Sequence, residues 1–191
     1  MTFLHEQGYP VPAVDEISDD GYDLVMERVD GPSMADWLSR KPWTLRRGAT
    51  MLADLHDQLH AIRAPDFIPP ATVGTGDRVV HLDLHPLNVI MSAHGPVVID
   101  WAQPARGDPL TDVALAYLLM AAAAVPTGRV QAAVIAVGRS MLAQGFVRRY
   151  DPAALADALA VTVEWKAQDS NMSAAEIAAM RALAAKASSA H

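Results

Sequence analysis

The sequence predicts an α+β fold that is mostly helical, with one small β-hairpin beside a cleft. In the second half of the chain, segments rich in Ala, Leu and Met favour four helices, at residues 108–125, 128–148, 152–168 and 173–188. Between residues 88 and 99, two short apolar runs flank a turn-forming sequence, which predicts the hairpin. Helices following a hairpin, rather than alternating with strands, are typical of an α+β arrangement.

The first half of the chain alternates short elements with turns. Residues 24–29 (LVMERV) predict a strand, and residues 33–40 predict a short helix after a turn. Apolar residues then recur at helical spacing over residues 45–62, and Thr44 is the predicted N-cap of this helix. Residues 64–76 contain three prolines and two glycines, so we expect a loop there.

Three short extended segments surround the most polar part of the sequence. Residues 79–82 predict a short extended piece. Residues 88–91 and 97–99 predict the two strands of the hairpin, which residues 92–96 (SAHGP) join as a turn. The polar residues between and after these strands are therefore expected to face one cleft.

Length and composition exclude several classes of protein. The 191 residues suit one domain, or two small lobes around one cleft. The chain has no cysteine, which excludes disulfide scaffolds, Cys-zinc sites, Fe–S clusters and cysteine nucleophiles. Hydrophobic residues make up 51% and charged residues 19%, so the chain is not disordered.

The charge balance bears on partners and location. The 15 basic and 22 acidic residues give a net charge of −7, which argues against nucleic-acid and anionic-membrane partners and allows a cationic small substrate. Residues 1–10 lack the basic start and apolar segment of a signal peptide. The longest apolar run, residues 113–125, is shorter than the roughly 20 residues of a membrane span. We expect a cytoplasmic protein.

Residues 81–88 (HLDLHPLN) form the densest polar cluster, and Asp100 follows twelve residues later at the end of an apolar run. Carboxylate and amide oxygens on a loop and a hairpin form a site that Mg²⁺ prefers, with water and phosphate as further ligands. Another carboxylate can orient and deprotonate an attacking hydroxyl. Together these groups provide what phosphoryl transfer requires: positioning, charge neutralisation and a base.

Three motifs occur in order with suitable gaps: HLDLHPLNVI at 81–90, VVIDW at 97–101 and GDPLTDVA at 107–114. They resemble the pattern of the aminoglycoside phosphotransferase and choline kinase-like group, which has a protein-kinase-like fold. The resemblance implies the C-terminal, mostly helical lobe of that fold with a remnant of the N-lobe sheet. Residues 1–30 would then be the N-lobe remnant and hinge, and residues 31–191 the helical lobe with the catalytic loop and metal-binding hairpin.

The resemblance also implies roles for individual residues. Asp83 would be the catalytic base, and Asn88 and Asp100 would be the Mg²⁺ ligands. The Glu27 carbonyl and the Val29 N–H would bind the adenine of ATP, or the base of another nucleoside triphosphate. The implied activity is transfer of the γ-phosphoryl group to a hydroxyl of a small molecule, such as an antibiotic sugar, choline, an amino alcohol or a sugar.

Two further residues have structural roles in the implied fold. His81 would brace the catalytic loop, and Asp112 would tie the region after the metal site to the following helix.

The sequence departs from the group in the residues that would bind the phosphates of the nucleotide. Members have a Gly-rich loop, a lysine and a glutamate before the hinge, whereas the lysines here are Lys41, Lys166 and Lys186, all after it. We therefore expect an N-terminally truncated member with impaired turnover, which self-associates through the surface that the missing lobe would cover. The alternative is a non-catalytic kinase-like binding module or a degenerate fragment.

Two histidine patterns allow other interpretations. His81, Asp83 and His85 alternate, as in some metal sites, but a proline follows and no second histidine pair comes at a sensible distance. His56 and His60 are four residues apart on the predicted helix, as in zinc proteases, but they share an apolar face. Packed or capped helix histidines are the simpler interpretation.

Two acidic residues lie near the end of the helix predicted at 152–168. In similar enzymes, acidic residues of late helices face a polycationic substrate, and Glu164 and Asp169 are candidates for this contact. A solvated helix face is the simpler interpretation of both.

Overall fold

The computed structural model describes residues 1–18, 23–122 and 129–189, with residues 129–134 described as backbone only. Within these ranges the helices are α1 (Thr2–Glu6), α2 (Met34–Arg40), α3 (Leu45–Ala61), α4 (Pro109–Ala122), α5 (Arg129–Val147), α6 (Pro152–Lys166) and α7 (Ala174–Ser188). The strands are β1 (Val14–Ile17), β2 (Leu24–Met26), β3 (Arg78–Val80), β4 (Val89–Ser92), β5 (Gly95–Val98) and β6 (Ala105–Gly107). The predicted α+β, mostly helical fold is confirmed.

The strands form antiparallel pairs: β1 with β2, β3 with β6, and β4 with β5. The predicted cleft hairpin is the β4–β5 pair, in which Val89 faces Val98 and Ser92 faces Gly95. Its turn is shorter than predicted, because residues 92 and 95 already pair. Strand β6 was not predicted, since three residues carry little pattern and their partner β3 is distant in sequence.

Strand β2 is shorter than the strand predicted at 24–29. It ends at Met26, although the Glu27 N–H still donates to the Ala13 carbonyl at 2.8 Å. The partner chain beyond Ala13 runs through Pro12, which has no N–H to continue the ladder. The residues after Glu27 therefore leave the sheet before the polypeptide enters α2.

The apolar face predicted for α3 is confirmed, but its predicted N-cap is wrong. Leu52, Leu55 and Leu59 are buried on one face, as their spacing predicts. Thr44 does not cap α3, because its Oγ1 donates to the Lys41 carbonyl at 2.6 Å. Thr44 ends a 3₁₀ turn, and its φ of −94° and ψ of 4° lie outside the extended region that a capping residue normally adopts.

Helix α4 lies at the centre of the helical part and packs against α3, α5, α6 and α7. Residues 111–116 are all buried, which accounts for the long apolar run in the sequence. The predicted end of this helix, at residues 123–125, lies outside the described residues. In the described part of the chain, no helix has the length and apolarity needed to cross a membrane.

Helices α6 and α7 each begin at a side-chain cap. The Asp151 side chain accepts a hydrogen bond from the Ala154 N–H at 2.8 Å, and Pro152 occupies the first turn of α6. Ser173 and Glu176 form a capping box at the start of α7. The capping box of α7 fixes the end of the segment that connects the two helices.

The β4–β5 hairpin is held in place by the N-terminal segments. The Val98 N–H donates to the Pro10 carbonyl at 2.8 Å, and the Met91 N–H donates to the Pro32 carbonyl at 2.9 Å. Tyr9, next to Pro10, is buried and its hydroxyl donates to the Leu55 carbonyl of α3 at 3.1 Å. These contacts fix the hairpin against the helices and so position the residues at its open end.

Candidate active site

A buried aspartate holds the start of the 81–88 loop. Asp112 of α4 is 1% exposed, and its carboxylate accepts hydrogen bonds from the N–H groups of His81 (3.0 Å) and Leu82 (2.8 Å). Leu82 has a φ of 61°, in the left-handed region that leucine rarely adopts. The two hydrogen bonds stabilise this bend, and the next residue, Asp83, lines a pocket. The resemblance implies that Asp112 ties the region after the metal site to the following helix, whereas these hydrogen bonds tie α4 to the loop that precedes Asn88 and Asp100.

Asn88 fixes the side chain of Asp83. The Asn88 Nδ2 group donates to the Asp83 carbonyl and to Asp83 Oδ2, both at 2.9 Å. Because both amide hydrogens are directed at Asp83, the amide oxygen of Asn88 is the atom left for a further partner. On the other side, His85 Nε2 lies 3.5 Å from Asp83 Oδ1. Burial lowers the pKa of His85, which favours its neutral form.

The hairpin brings Asp100 to the same place. The Ile99 N–H donates to the Asn88 carbonyl at 3.0 Å, directly beyond the pair formed by Val89 and Val98. Asp100 follows with a φ of 63°, so the chain turns sharply where the hairpin ends. Asp100 lines the same pocket as Asp83. The structure therefore brings together the three residues that the sequence placed in the catalytic loop and the metal site.

His81 connects the loop to the hairpin. Its Nε2 donates to the Ile99 carbonyl at 3.1 Å, and its ring centre lies 4.4 Å from that of Trp101. Trp101 is itself fixed, because its Nε1 donates to the Val98 carbonyl at 3.0 Å. His81 thus braces the loop against the hairpin, as the resemblance implies.

The pocket has a volume of about 430 Å³. Asp83 and Asp100 contribute carboxylates to one side of it, and Gln103 adds a side-chain amide. The opposite side consists of the end of α6 and the residues that follow it, namely Trp165, Lys166, Gln168, Asp169 and Asn171. The pocket is therefore polar, with carboxylates on both sides.

The side chains on the α6 side of the pocket are held by an ion pair and by hydrogen bonds. Lys166 Nζ lies 2.7 Å from Asp169 Oδ2, and the Asn171 N–H donates to Asp169 Oδ1 at 2.9 Å. The Trp165 Nε1 group donates to Thr72 Oγ1 at 2.9 Å. Of these residues the sequence singled out Asp169 alone, and the only available signal for the others was their position just after a predicted helix.

Glu164 does not take part in this pocket. Its carboxylate accepts two hydrogen bonds from Arg181 of α7, at 2.9 and 2.8 Å. Both side chains are more than half exposed, so the pair lies on a solvated helix surface. The structural interpretation of Glu164 is the better one, whereas Asp169 faces the site.

The predicted nucleotide residues lie on a separate segment. Glu27 is tied to the chain before β1, because its carboxylate accepts the Ala13 N–H at 3.2 Å. Glu27 and Val29 do not line the pocket described above. The segment nevertheless reaches the hairpin, since the Cβ of any larger residue at Gly31 would overlap the Met91 carbonyl oxygen. Glu27 and Val29 thus lie outside this pocket, on a segment that packs against β4.

The two histidine patterns do not form metal sites. In the described ranges, no group of three or more His, Asp or Glu side chains is arranged to hold a metal ion. The Nε2 of His81 donates to the Ile99 carbonyl, and the Nδ1 atoms of His81 and His85 are buried. His56 Nδ1 bonds to the Leu52 carbonyl and His60 Nε2 to Asp112, so both helix histidines are packed, as expected.

Comparison with known proteins gives one partial family match and a similar fold. A family model described as the phosphotransferase enzyme family matches residues 74–140, the segment that contains all three motifs. No curated protein matches the chain.

Two solved structures can be compared with this one. The chain resembles a choline/ethanolamine kinase family protein from Mesorhizobium loti, with a TM-score of 0.52 and 11% identity, over 99% of this chain and 75% of that one. It also resembles an amicoumacin kinase in complex with AMP-PNP, Ca²⁺ and Ami, with a TM-score of 0.46 and 14% identity. That match covers 98% of this chain and 75% of the other. The fold of the first and the match over residues 74–140 confirm the predicted resemblance of this chain to the aminoglycoside phosphotransferase and choline kinase-like group of phosphotransferase enzymes.

Proposed function

We propose that this chain transfers the γ-phosphoryl group of ATP, or of another nucleoside triphosphate, to a hydroxyl group of a small molecule. The observation that carries the proposal is the pocket that Asp83 and Asp100 share, with Asn88 bonded to Asp83. Two carboxylates with separate environments allow one to accept a proton and the other to bind a cation. A cytoplasmic location is part of the proposal, because the co-substrate is intracellular.

Asp83 is the proposed catalytic base. Its side chain is 44% exposed, so an acceptor hydroxyl can reach it. Asn88 donates a hydrogen bond to Oδ2 of Asp83. Oδ1 of Asp83, which faces His85, is therefore the oxygen that receives the proton of the hydroxyl. A general base must lie within hydrogen-bond reach of the hydroxyl it activates, and a fixed carboxylate at the pocket surface meets that requirement.

Asn88 and Asp100 are the proposed Mg²⁺ ligands. The donor set fits this ion, since Mg²⁺ prefers carboxylate and amide oxygens and retains several waters. The Asn88 amide oxygen is directed away from Asp83, and Asp100 presents a carboxylate at the open end of the same hairpin. When bound, Mg²⁺ supplies charge neutralisation to the phosphates of the nucleotide.

The proposed nucleotide contacts are the Glu27 carbonyl and the Val29 N–H. The Glu27 N–H donates to the Ala13 carbonyl, and the Ala13 N–H donates to the Glu27 carboxylate rather than to the Glu27 carbonyl. The packing of Gly31 against Met91 connects this hinge to the metal-binding hairpin. In this proposal the hinge divides residues 1–30 from the helical lobe at 31–191.

The α6 side of the pocket favours a polyhydroxylated acceptor that carries an amine. Gln168 and Asn171 offer amide groups to hydroxyls, and Asp83 and Asp100 add carboxylates that Lys166 does not pair with, which favours a cationic group. A quaternary ammonium group such as that of choline is best bound by several aromatic faces. Trp165 is the one aromatic side chain other than His81 among the described residues that line the pocket. An amino sugar therefore suits the pocket better than choline.

Turnover by the 191-residue chain is expected to be slow. Asp83, Asp100 and Asp169 place three carboxylates in the pocket, and its one lysine, Lys166, is paired with Asp169. Phosphoryl transfer depends on cationic groups that stabilise the charge of the phosphates. This charge balance also favours a second candidate, a kinase-like module that binds a nucleotide without transferring its phosphate.

The two candidates differ in the product they form. The purified chain is incubated with ATP and Mg²⁺ and with aminoglycosides, amino sugars, monosaccharides, amino alcohols or choline, and the phosphorylated acceptor is measured by mass spectrometry. We expect slow, Mg²⁺-dependent phosphorylation of an amino sugar or aminoglycoside. Nucleotide binding without any phosphorylated acceptor supports the non-catalytic module. Rapid turnover contradicts the expected impairment and shows that the described charges suffice.

A further inference from the structure

A third donor reaches the aspartate that holds the catalytic loop. His60 lies in the last turn of α3, and its Nε2 is 3.0 Å from Asp112 Oδ2. The same oxygen accepts the His81 N–H, while Asp112 Oδ1 accepts the Leu82 N–H. The His60 side chain is 7% exposed and that of Asp112 is fully buried. One carboxylate therefore joins α3, α4 and the loop.

The direction of the His60 contact follows from the charge of Asp112. Burial acts to raise the pKa of Asp112, but the hydrogen bond and charge of His60 and the His81 N–H outweigh it and lower the pKa. Asp112 is then a carboxylate, which can only accept hydrogen bonds. His60 Nε2 must carry a hydrogen and donate it.

We propose that His60 is a positioning residue that fixes the Asp112 carboxylate and, through it, the bend at Leu82 that presents Asp83 to the pocket. The catalytic part of this inference rests on the proposed function of Asp83. His60 touches neither the pocket nor Asp83, so its effect passes entirely through Asp112.

The physical reason lies in the strained backbone. A left-handed φ at a non-glycine residue persists only where neighbouring contacts enforce it. At Leu82 those contacts are the two N–H bonds to Asp112. Without the His60 donor, the carboxylate can rotate about its own side-chain torsions or admit water, and both hydrogen bonds to the loop weaken. A displacement of about 1 Å at a reacting group is enough to slow catalysis by roughly 100-fold.

His56 provides a matched control. It lies one turn earlier on α3, is fully buried, and its ring centre is 5.6 Å from that of His60. Its Nδ1 donates to the Leu52 carbonyl at 2.9 Å, and in the described structure it makes no hydrogen bond to Asp112. A substitution of His56 thus disturbs the same core without removing the donor to Asp112.

The test compares His60→Leu, His60→Gln and His56→Leu in the full chain, by amide hydrogen exchange and by ATP turnover. Glutamine keeps a donor near the position of Nε2, and leucine does not. In His60→Leu we expect exchange of the Leu82 amide to increase at least about tenfold relative to the Val98 amide, since a hydrogen bond to a charged group is lost. We also expect kcat to fall with little change in the KM for ATP. His60→Gln should keep most of the protection of the Leu82 amide and most of the kcat of the unaltered chain.

Two results would overturn the proposal. The first is an unchanged Leu82-to-Val98 exchange ratio in His60→Leu. The second is an equal change of that ratio in His56→Leu, which would indicate general loosening of the core. The amide comparison needs no turnover, so it decides the role of His60 even if the unaltered chain phosphorylates nothing. Absence of turnover in the unaltered chain would count against the proposed function alone.

Discussion

Asn88 directs both hydrogens of its side-chain amide at Asp83, one to the backbone carbonyl and one to Oδ2, each at 2.9 Å. This contact fixes the orientation of two groups at once. It holds the Asp83 carboxylate in one position, and it leaves the side-chain oxygen of Asn88 as the atom for a further partner, which we propose to be Mg²⁺. The base and the metal site that we propose are therefore mechanically linked.

Replacement of the proposed base tests the first of these roles. Asp83→Ala should lower kcat by roughly 10²–10⁴, the usual contribution of a general base. Nucleotide affinity should change much less, because Asp83 addresses the acceptor. Steady-state kinetics and nucleotide titration measure the two effects. Asp157→Ala, an exposed aspartate of α6, is the matched control and should retain full turnover. Equal turnover in Asp83→Ala and the unaltered chain removes Asp83 from the catalytic role.

Replacement of Asp100 tests the metal site. Asp100→Asn should raise the Mg²⁺ concentration that gives half-maximal turnover by at least about tenfold, because a charged oxygen ligand becomes neutral. The φ of 63° at this position is tolerated well by asparagine, so the backbone should not change. A Mg²⁺ titration of turnover measures the effect, with Asp157→Asn as the control. An unchanged Mg²⁺ requirement would show that Asp100 does not bind the ion.

The sequence predicted those features that depend on local pattern. The spacing of Leu52, Leu55 and Leu59 defined α3, and the motifs over residues 81–114 defined the carboxylate cluster. Both signals lie within short stretches of chain, where helical periodicity and turn chemistry operate.

Features that depend on distant contacts could not be predicted. His60 and Asp112 are 52 residues apart, and the pair has no sequence signature beyond two polar residues on apolar helices. The α6 side of the pocket, with Lys166 and Gln168, faces Asp83 only because α4, α6 and α7 pack together. Thr44 failed as a cap because a 3₁₀ turn precedes α3, which local propensity did not indicate.

The packing of the hinge against the hairpin can be tested at two glycines. Gly31 and Gly95 both have positive φ, but an added Cβ overlaps the Met91 carbonyl oxygen at Gly31 and meets nothing at Gly95. Gly95→Ala should lower the free energy of unfolding by about 1 kcal/mol through backbone strain. Gly31→Ala should lower it by roughly 1–3 kcal/mol more, because the hinge must move. Urea denaturation measures both, and equal losses would contradict the close approach.

The buried His56 predicts how stability depends on pH. Burial is the main cause that lowers its pKa to about 4, from an ordinary value of 6.5. Between these values the unfolded chain binds a proton that the folded chain does not, so stability falls as pH decreases through this window. The loss attributable to His56 should approach about 3 kcal/mol by pH 4.

The matched variants are His56→Leu and His94→Ala. His56→Leu should remove the share of the pH dependence between pH 6.5 and 4 that His56 contributes, as urea denaturation at a series of pH values would show. The share from the lowered pKa of His85 should remain. His94 is exposed in the hairpin turn, and its replacement should leave the dependence unchanged. The lowered pKa of Asp112 acts at more acidic pH, outside this window, and its main causes, the hydrogen bond and charge of His60, are kept in both variants. A pH dependence in His56→Leu as steep as that of the unaltered chain would contradict a neutral buried His56.

The β1–β2 hairpin leads to our last prediction, which concerns self-association. Its apolar side chains are 40–60% exposed: Ile17, Leu24, Val25 and Met26. An isolated two-stranded sheet with free edges is marginally stable and readily pairs with another chain. We expect the 191-residue chain to have a molar mass above the 20.4 kDa of a monomer in light scattering at high concentration.

The double variant Ile17→Thr/Val25→Thr should shift the protein toward the monomer. Threonine keeps the β-branched shape that strands favour while it removes apolar surface, so the hairpin itself should persist. Val161→Ala is the control, because Val161 is 58% exposed and lies on α6 rather than on the β1–β2 hairpin. If the unaltered chain is a monomer at high concentration, or if Val161→Ala dissociates it equally, the hairpin is not the interface.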